Sequence, residues 1–558
     1  MEEEAINPPK WVNVLAFFMG FIFLFLNPIY QLSQGEDAGD AFWDHALRSL
    51  DWTFMLRNFP PMIFFLGATL LASGVILKNS YSNEKWWGWF RVAASFFLGL
   101  AFSMAVIHQL MDVAYFRGAF ILLPAVYSIL MMFLLILLCG KPLPILQRAD
   151  GKIEFIKSSE KVLQLIAIVV CVWLFVPAAP AILGVAAAPP DPPQEGYGSA
   201  PSPYSVSTNS FAYPMPDNVS SIIGNIEGDI DFSVYVTLPN LPENDRPERI
   251  PLAIILHGFG NPYWETYVDW GTQLSAKGMA VAFVQYPSDV HPEGGDTFSL
   301  IEAQGMSNHP QHFPRSAAIA SAISHLDNIA LSENRNGWIN ETLGNTMIDP
   351  SNLWIGGHSL GAGLSFRTID ESLERGWGSE SLFIALEAPY AHSVDSQLRG
   401  DLSPLPNHTM GHIAISEDDT SVSPCYGVWH QNRINSRDGT GNLDSGQVIV
   451  LKINSDRRGF PPLIASHYMQ TSQVHDIIAD WSFYRRADAQ ADYMVAMTSG
   501  DNETADNART YLMDSSSLSY MGEWSNGVAV NEMEIYGDAM HTGPQEYQDC
   551  SSEVEEWN

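Results

Sequence analysis

The stretch Trp354-Ile355-Gly356-Gly357-His358-Ser359-Leu360-Gly361-Ala362-Gly363 passes from apolar residues into a glycine-bracketed serine and then into small residues. A G-x-S-x-G run of this kind reads as a strand end, a sharp turn and a helix start, with the serine hydroxyl raised at the turn. Gly357 and Gly361 leave the room that so tight a passage needs. Ser359 is therefore the first candidate nucleophile. A serine hydroxyl is a weak nucleophile at neutral pH, so the chain must also supply a histidine to take its proton and an acid to orient that histidine.

Around this turn, strand-like and helix-like stretches alternate. Phe232 to Leu238, Leu252 to Leu256, Ala280 to Gln285, Leu353 to Ile355, Leu382 to Leu386, His412 to Ile415 and Val448 to Ile453 read as strands. Tyr267 to Lys277 and Pro314 to Ile329 read as helices. Such alternation predicts a mainly parallel sheet covered by helices on both faces.

The strand at His412 ends in Glu417, Asp418 and Asp419, where an acid can reach inward over the sheet edge. Asp419 is the preferred acid, Asp418 the second candidate and Glu387, at the end of the preceding strand, the third; a solvated acidic turn is the plain alternative. Among the histidines that follow, three are candidates for the base. His467 hangs in a loop beyond the last strand, which is where a base must lie; His475 sits in a helical run beside Asp476, and His541 in the C-terminal tail.

Leu256-His257-Gly258-Phe259-Gly260, Ile348-Asp349-Pro350-Ser351-Asn352 and Gly357-His358-Ser359-Leu360-Gly361, in this order, resemble the dienelactone hydrolase, chlorophyllase and cutinase-like branch of the α/β-hydrolase superfamily. The resemblance covers roughly residues 230–485. It implies an α/β-hydrolase domain with the chain order Ser359, Asp419, His467, and it favours Asp419 because the acid precedes a hydrophobic residue, here Val422, by three. It further implies an oxyanion hole from the backbone N–H groups of Phe259 and Leu360, and neither a metal nor an organic cofactor. Tyr263 and Trp264 are candidates for an aromatic wall at the substrate. Ser416 stands where the family has a glycine, which leaves the register among Glu417, Asp418 and Asp419 open. The expected activity is cleavage of a small-molecule, lipid or polymer ester through an acyl-enzyme. A peptidase, thioesterase or acyltransferase would use the same groups, and a non-catalytic binding module is the alternative from another class.

The chain has 558 residues and a formal net charge of −34. Residues 1–188 hold 12 Lys+Arg and 13 Asp+Glu, leaving 16 of the 28 basic and 49 of the 62 acidic residues to the rest. So acidic a surface excludes nucleic acid as a partner. Lysine falls to Lys277 and Lys452 there, which fits either a high-salt environment or a merely acidic exterior. Cys425 and Cys550 are free by sequence either to pair or to stand as two thiols. Sequons occur at Asn218, Asn340, Asn407 and Asn502.

Five apolar runs, at about 11–30, 59–77, 89–110, 118–140 and 162–186, predict an N-terminal helical transmembrane bundle in contact with membrane lipid. Lys78, Lys85, Arg91 and the basic residues from Lys141 to Lys161 mark inside loops, which would put everything after about residue 187 on the extracytoplasmic side. His108 and Asp112 read as interfacial residues at the end of the third run. The expected division is a membrane module (1–188), a Pro-rich linker (189–216) with eight prolines, a catalytic domain (217–487) and an acidic extension or added subdomain (488–558).

Overall fold

The computed structural model describes residues 10–34, 88–100 and 103, with breaks at 24 and 98, and residues 187–550. The latter stretch has breaks at 200–201, 224–226, 228–229, 245, 291–311, 333–334, 392–400, 420, 436–442, 460–461 and 514. The chain divides into two compact units, Met1–Ala188 and Pro189–Asn558.

The first unit corrects the expected transmembrane bundle. Among the described residues no helix is long and apolar enough to cross a membrane. The run at 11–30 forms two helices, α1 (Lys10–Phe23, 14 residues) and α2 (Leu26–Gln34, 9 residues). At 1.5 Å per residue α1 rises about 21 Å, short of the ~30 Å hydrocarbon core. Pro28 falls in the first turn of α2, where its missing N–H is tolerated, so it starts a second helix rather than extending the first. The integral-membrane, extracytoplasmic placement falls with the bundle, and the expected contact with membrane lipid is left without support. The runs at 59–77, 118–140 and 162–186, with His108 and Asp112, lie outside the described residues, and the run at 89–110 is described only in part.

Among the described residues, the second unit is built on one mixed nine-stranded sheet. Its strands are β1 (Val206–Ala212), β2 (Ser233–Pro239), β3 (Arg249–Leu256), β4 (Ala280–Val284), β5 (Met347–His358), β6 (Ser381–Glu387), β7 (Met410–Ser416), β8 (Val448–Ile453) and β9 (Glu534–Tyr536). They lie in the order β1-β2-β4-β3-β5-β6-β7-β8-β9. The six from β4 to β8 run parallel, while β1, β2 and β9 are antiparallel at the edges. β1 lies in the stretch read as linker, and β9 in the stretch read as extension.

The central strands are buried on both faces, which is why they read as unbroken apolar runs. Alternation along each strand assigns the faces. Leu252, Ile254 and Leu256 of β3 join one core with residues of α4 (His312–Leu326) and α5 (Leu360–Glu374), among them Ala318, Ile319, Leu364 and Phe366. Trp354 of β5 points the other way. Its ring meets Trp270 of α3 (Trp264–Ala276) edge-on at 5.6 Å, and Trp270 meets Phe483 at 5.0 Å. Beyond the sheet, α6 (Pro424–Ile434) is tied to the C-terminal segment by a disulfide between Cys425 and Cys550, 125 residues apart. α7 (Arg485–Ser499) completes the layer shared with α3.

Candidate functional site

Ser359 sits between the end of β5 and the start of α5, with φ 55° and ψ −119°. Ala388 is the other non-glycine residue with positive φ among the described residues. A side chain at positive φ is strained and persists where the surroundings over-determine it. Here they do: the Ser359 N–H donates to the Glu387 carbonyl at 2.9 Å, and its own carbonyl accepts from Tyr390 N–H at 2.9 Å. The glycines follow from contact distances. A Cβ on Gly357 would lie 2.5 Å from the Gly361 carbonyl carbon, and one on Gly361 would lie 2.3 Å from the His257 carbonyl oxygen. The turn closes this tightly only without those two side chains.

Leu360 is the first residue of α5, whose leading N–H groups have no partner within the helix and carry its positive dipole end. The 257–260 loop runs alongside, since a Cβ on Gly258 would lie 3.4 Å from Ser359 Cβ. Phe259 is partly buried, with the Arg315 guanidinium 5.6 Å from its ring centre.

Asp419 and His467 come together at the ends of β7 and β8. His467 Nδ1 lies 2.7 Å from Asp419 Oδ2, and both side chains are buried. Asp419 Oδ1 accepts the backbone N–H groups of Ser421 and Val422. A carboxylate so placed only accepts, so Nδ1 is the donor of this bond. The His467 ring lies 4.7 Å from that of His358, the neighbour of Ser359 in the chain.

The other candidates are engaged elsewhere. Asp418 bonds Ser455 and Arg457. The Glu387 carboxylate accepts from Arg486 at 3.0 Å through both oxygens, and burial raises its pKa against the pull of that guanidinium. His475 lies between Asp269 and Asp480, and His541 bonds Asp538. His257 and His358 are fully buried. Burial lowers His257 to about 4 and, with the nearby His467, holds His358 well below the usual imidazole range, so both are neutral.

Tyr263 is exposed at the start of α3. Trp264 is buried, its ring 5.4 Å from that of Phe283 and stacked toward Tyr235, which makes it part of the core. Sequence reasoning passed over Glu227 and Ser288. The buried Glu227 carboxylate accepts from Ser288 Oγ at 2.6 Å and from Asp289 N–H at 2.9 Å, and Ser288 Oγ accepts the Gly260 N–H at 2.8 Å. Burial raises the Glu227 pKa. Nothing in the flanking sequence marks this carboxylate as wired to a loop thirty-three residues on.

No family model matches the chain, and no curated protein matches it either. Among solved structures, an esterase from Pyrobaculum calidifontis is similar to it at 12% identity and a TM-score of 0.29, over 55% of this chain and 84% of that one.

Proposed function

We propose that the chain is a serine hydrolase that cleaves carboxylic esters through an acyl-enzyme. The observation that carries the proposal is the buried Asp419–His467 pair, held one ring away from the strained turn that presents Ser359. His467 Nε2 takes the Ser359 proton as Oγ forms a bond to the ester carbonyl carbon. The negative charge on the carbonyl oxygen is met by the N–H groups of Leu360 and Phe259, each such donor being worth roughly 3 kcal/mol. The imidazolium, steadied by Asp419, gives its proton to the departing alcohol oxygen. Water, deprotonated by the same nitrogen, then adds to the acyl carbon, and the acid leaves with Ser359 regenerated. Tyr263, exposed beside the 257–260 loop in sequence, is the side chain we assign to substrate contact.

The test is labelling by a fluorophosphonate, which phosphonylates an activated serine and releases fluoride, in wild type and in Ser359→Ala. It is followed by turnover of chromogenic esters of graded acyl length, thioesters and peptides. Labelling at Ser359 with ester turnover is the expected result. Labelling that survives Ser359→Ala removes the assignment, and turnover confined to thioesters or peptides replaces the bond that is cleaved.

A further inference from the structure

The proposed site is assembled from three segments far apart in the chain: the 257–260 loop after β3, the serine turn after β5 and the loop beyond β8 that carries His467. A misplacement of about 1 Å between such segments costs on the order of a hundredfold in rate. The Asp419 carboxylate fixes the ring of His467, but it does nothing for the other two segments.

Two side chains outside the triad touch all three. His358 Nε2 lies 2.8 Å from the His467 carbonyl oxygen, and a carbonyl only accepts, so Nε2 carries the proton. Because His358 is neutral, its Nδ1 is an acceptor, and Tyr267 Oη lies 2.9 Å away to supply the hydrogen. The phenol oxygen in turn accepts the Gly258 N–H at 2.9 Å. The run is continuous: Gly258 N–H to Tyr267 O–H to His358 Nδ1, then His358 Nε2–H to the His467 carbonyl. Gln470 Nε2 donates to the same carbonyl at 2.9 Å. Tyr267 is 1% and His358 2% exposed, so water does not compete for these bonds.

The ends of this run distinguish it from ordinary core polarity. Both are main-chain groups, one in the loop proposed to hold an oxyanion donor and the other on the proposed base itself. The middle member adjoins the nucleophile in the chain.

We propose that Tyr267 and His358 are positioning residues that hold the 257–260 loop, the serine turn and the backbone of His467 in one register. The proposal rests on the serine-hydrolase reading above. His358 acts here by its hydrogen bonds, with its ring neutral throughout, and Tyr267 acts by its hydroxyl alone.

The test measures the rate of fluorophosphonate labelling at Ser359, and kcat and KM on an ester that wild type turns over, each per folded molecule as judged by near-ultraviolet circular dichroism. Tyr267→Phe keeps the ring and removes the hydroxyl; it should slow labelling and kcat about 10- to 100-fold, with KM within about threefold. His358→Gln keeps an N–H near the Nε2 position and loses the Nδ1 acceptor, so it cuts the same link from the other side. The double variant should therefore be within about threefold of the slower single variant, where independent effects would multiply. If Tyr267→Phe does not fold, His358→Gln paired with His358→Asn, which keeps an acceptor near Nδ1 and loses the donor, carries the same comparison of kcat against KM. Wild-type labelling rates in the folded variants, or multiplied losses in the double variant, overturn the positioning role while leaving the hydrolase reading intact. Failure of wild type itself to label removes that reading and this proposal with it.

Discussion

His467 Nδ1 lies 2.7 Å from Asp419 Oδ2, and the second Asp419 oxygen is held by the N–H groups of Ser421 and Val422 at 2.8 and 3.0 Å. Those two backbone donors decide what an amide does in this place. In Asp419→Asn the amide oxygen stays with them, and the NH2 is aimed at Nδ1. His467 must then accept at Nδ1 and carry its proton on Nε2, where it is useless as a base. Ester turnover should fall by about 10⁴-fold with the thermal midpoint nearly unchanged. A loss below tenfold, measured on folded protein, would move the acid to another residue.

The turn itself is the second place to press. In Gly361→Ala the new Cβ meets the His257 and Leu256 carbonyl oxygens at 2.3 and 2.5 Å, both main-chain atoms of the adjoining strand end. No rotamer relieves such a contact. Urea unfolding should show a loss at or above the usual 1–3 kcal/mol of overpacking, about 3 kcal/mol or more, with esterase activity abolished. Gly376→Ala is the matched control: nothing lies within 4 Å of its Cβ, so only the cost of its φ of +77° remains.

These contacts explain why this part of the molecule is legible in the sequence. The glycines around Ser359 are demanded by sub-3 Å approaches of backbone to backbone, and the central strands by burial on both faces, so each leaves a local signature. β1 and β9 leave none. β1 is an edge strand, VSTNSFA, with alternately exposed polar residues, and β9 has only three residues. Glu417, Asp418 and Asp419 are adjacent, and no local pattern tells them apart; the turn after β7 is what turns Asp418 toward Arg457 and Asp419 toward His467. Tyr267 and Glu227 were illegible for a related reason: their bonds cross between elements whose mutual placement no local pattern encodes. The apolar run at 11–30 misleads in the opposite sense, since hydropathy reads composition and not the helix break ahead of Pro28.

His475 carries a pH dependence of its own. Its two nitrogens lie 2.8 Å from Asp269 Oδ2 and 2.8 Å from Asp480 Oδ1, and its ring stacks on Tyr484 at 3.9 Å. Burial pulls its pKa down, but the hydrogen bonds to Asp269 and Asp480 and their charges outweigh that, raising it from 6.5 to about 9. The folded protein thus binds this proton more tightly than the unfolded chain. The stabilisation is fully present below about pH 6.5 and is lost as pH rises through about 9. Urea midpoints of wild type should decline across that window, and His475→Gln should flatten the decline. An unchanged slope in the variant would show that the ring is not the group responsible.

Behind the serine turn, the Glu387–Arg486 pair has side chains 3% and 0% exposed, and it offers a sharper contrast. Burial of an ion pair is compensated only while both members are present. Arg486→Met leaves the Glu387 carboxylate buried among apolar strands, and it should destabilise the fold by about 3–5 kcal/mol. Glu387→Leu combined with Arg486→Met removes both charges, and it should recover most of that loss, ending within about 2 kcal/mol of wild type. Ser359 is bonded to the Glu387 carbonyl and not to its carboxylate, so the double variant should label with a fluorophosphonate at nearly the wild-type rate. Denaturant titration of the three variants reads the stability order directly. If the double variant is as unstable as Arg486→Met, the pair stabilises the fold through its specific hydrogen bonds rather than through charge balance. If it is stable but does not label, the Glu387 side chain acts on the nucleophile by a route other than its backbone.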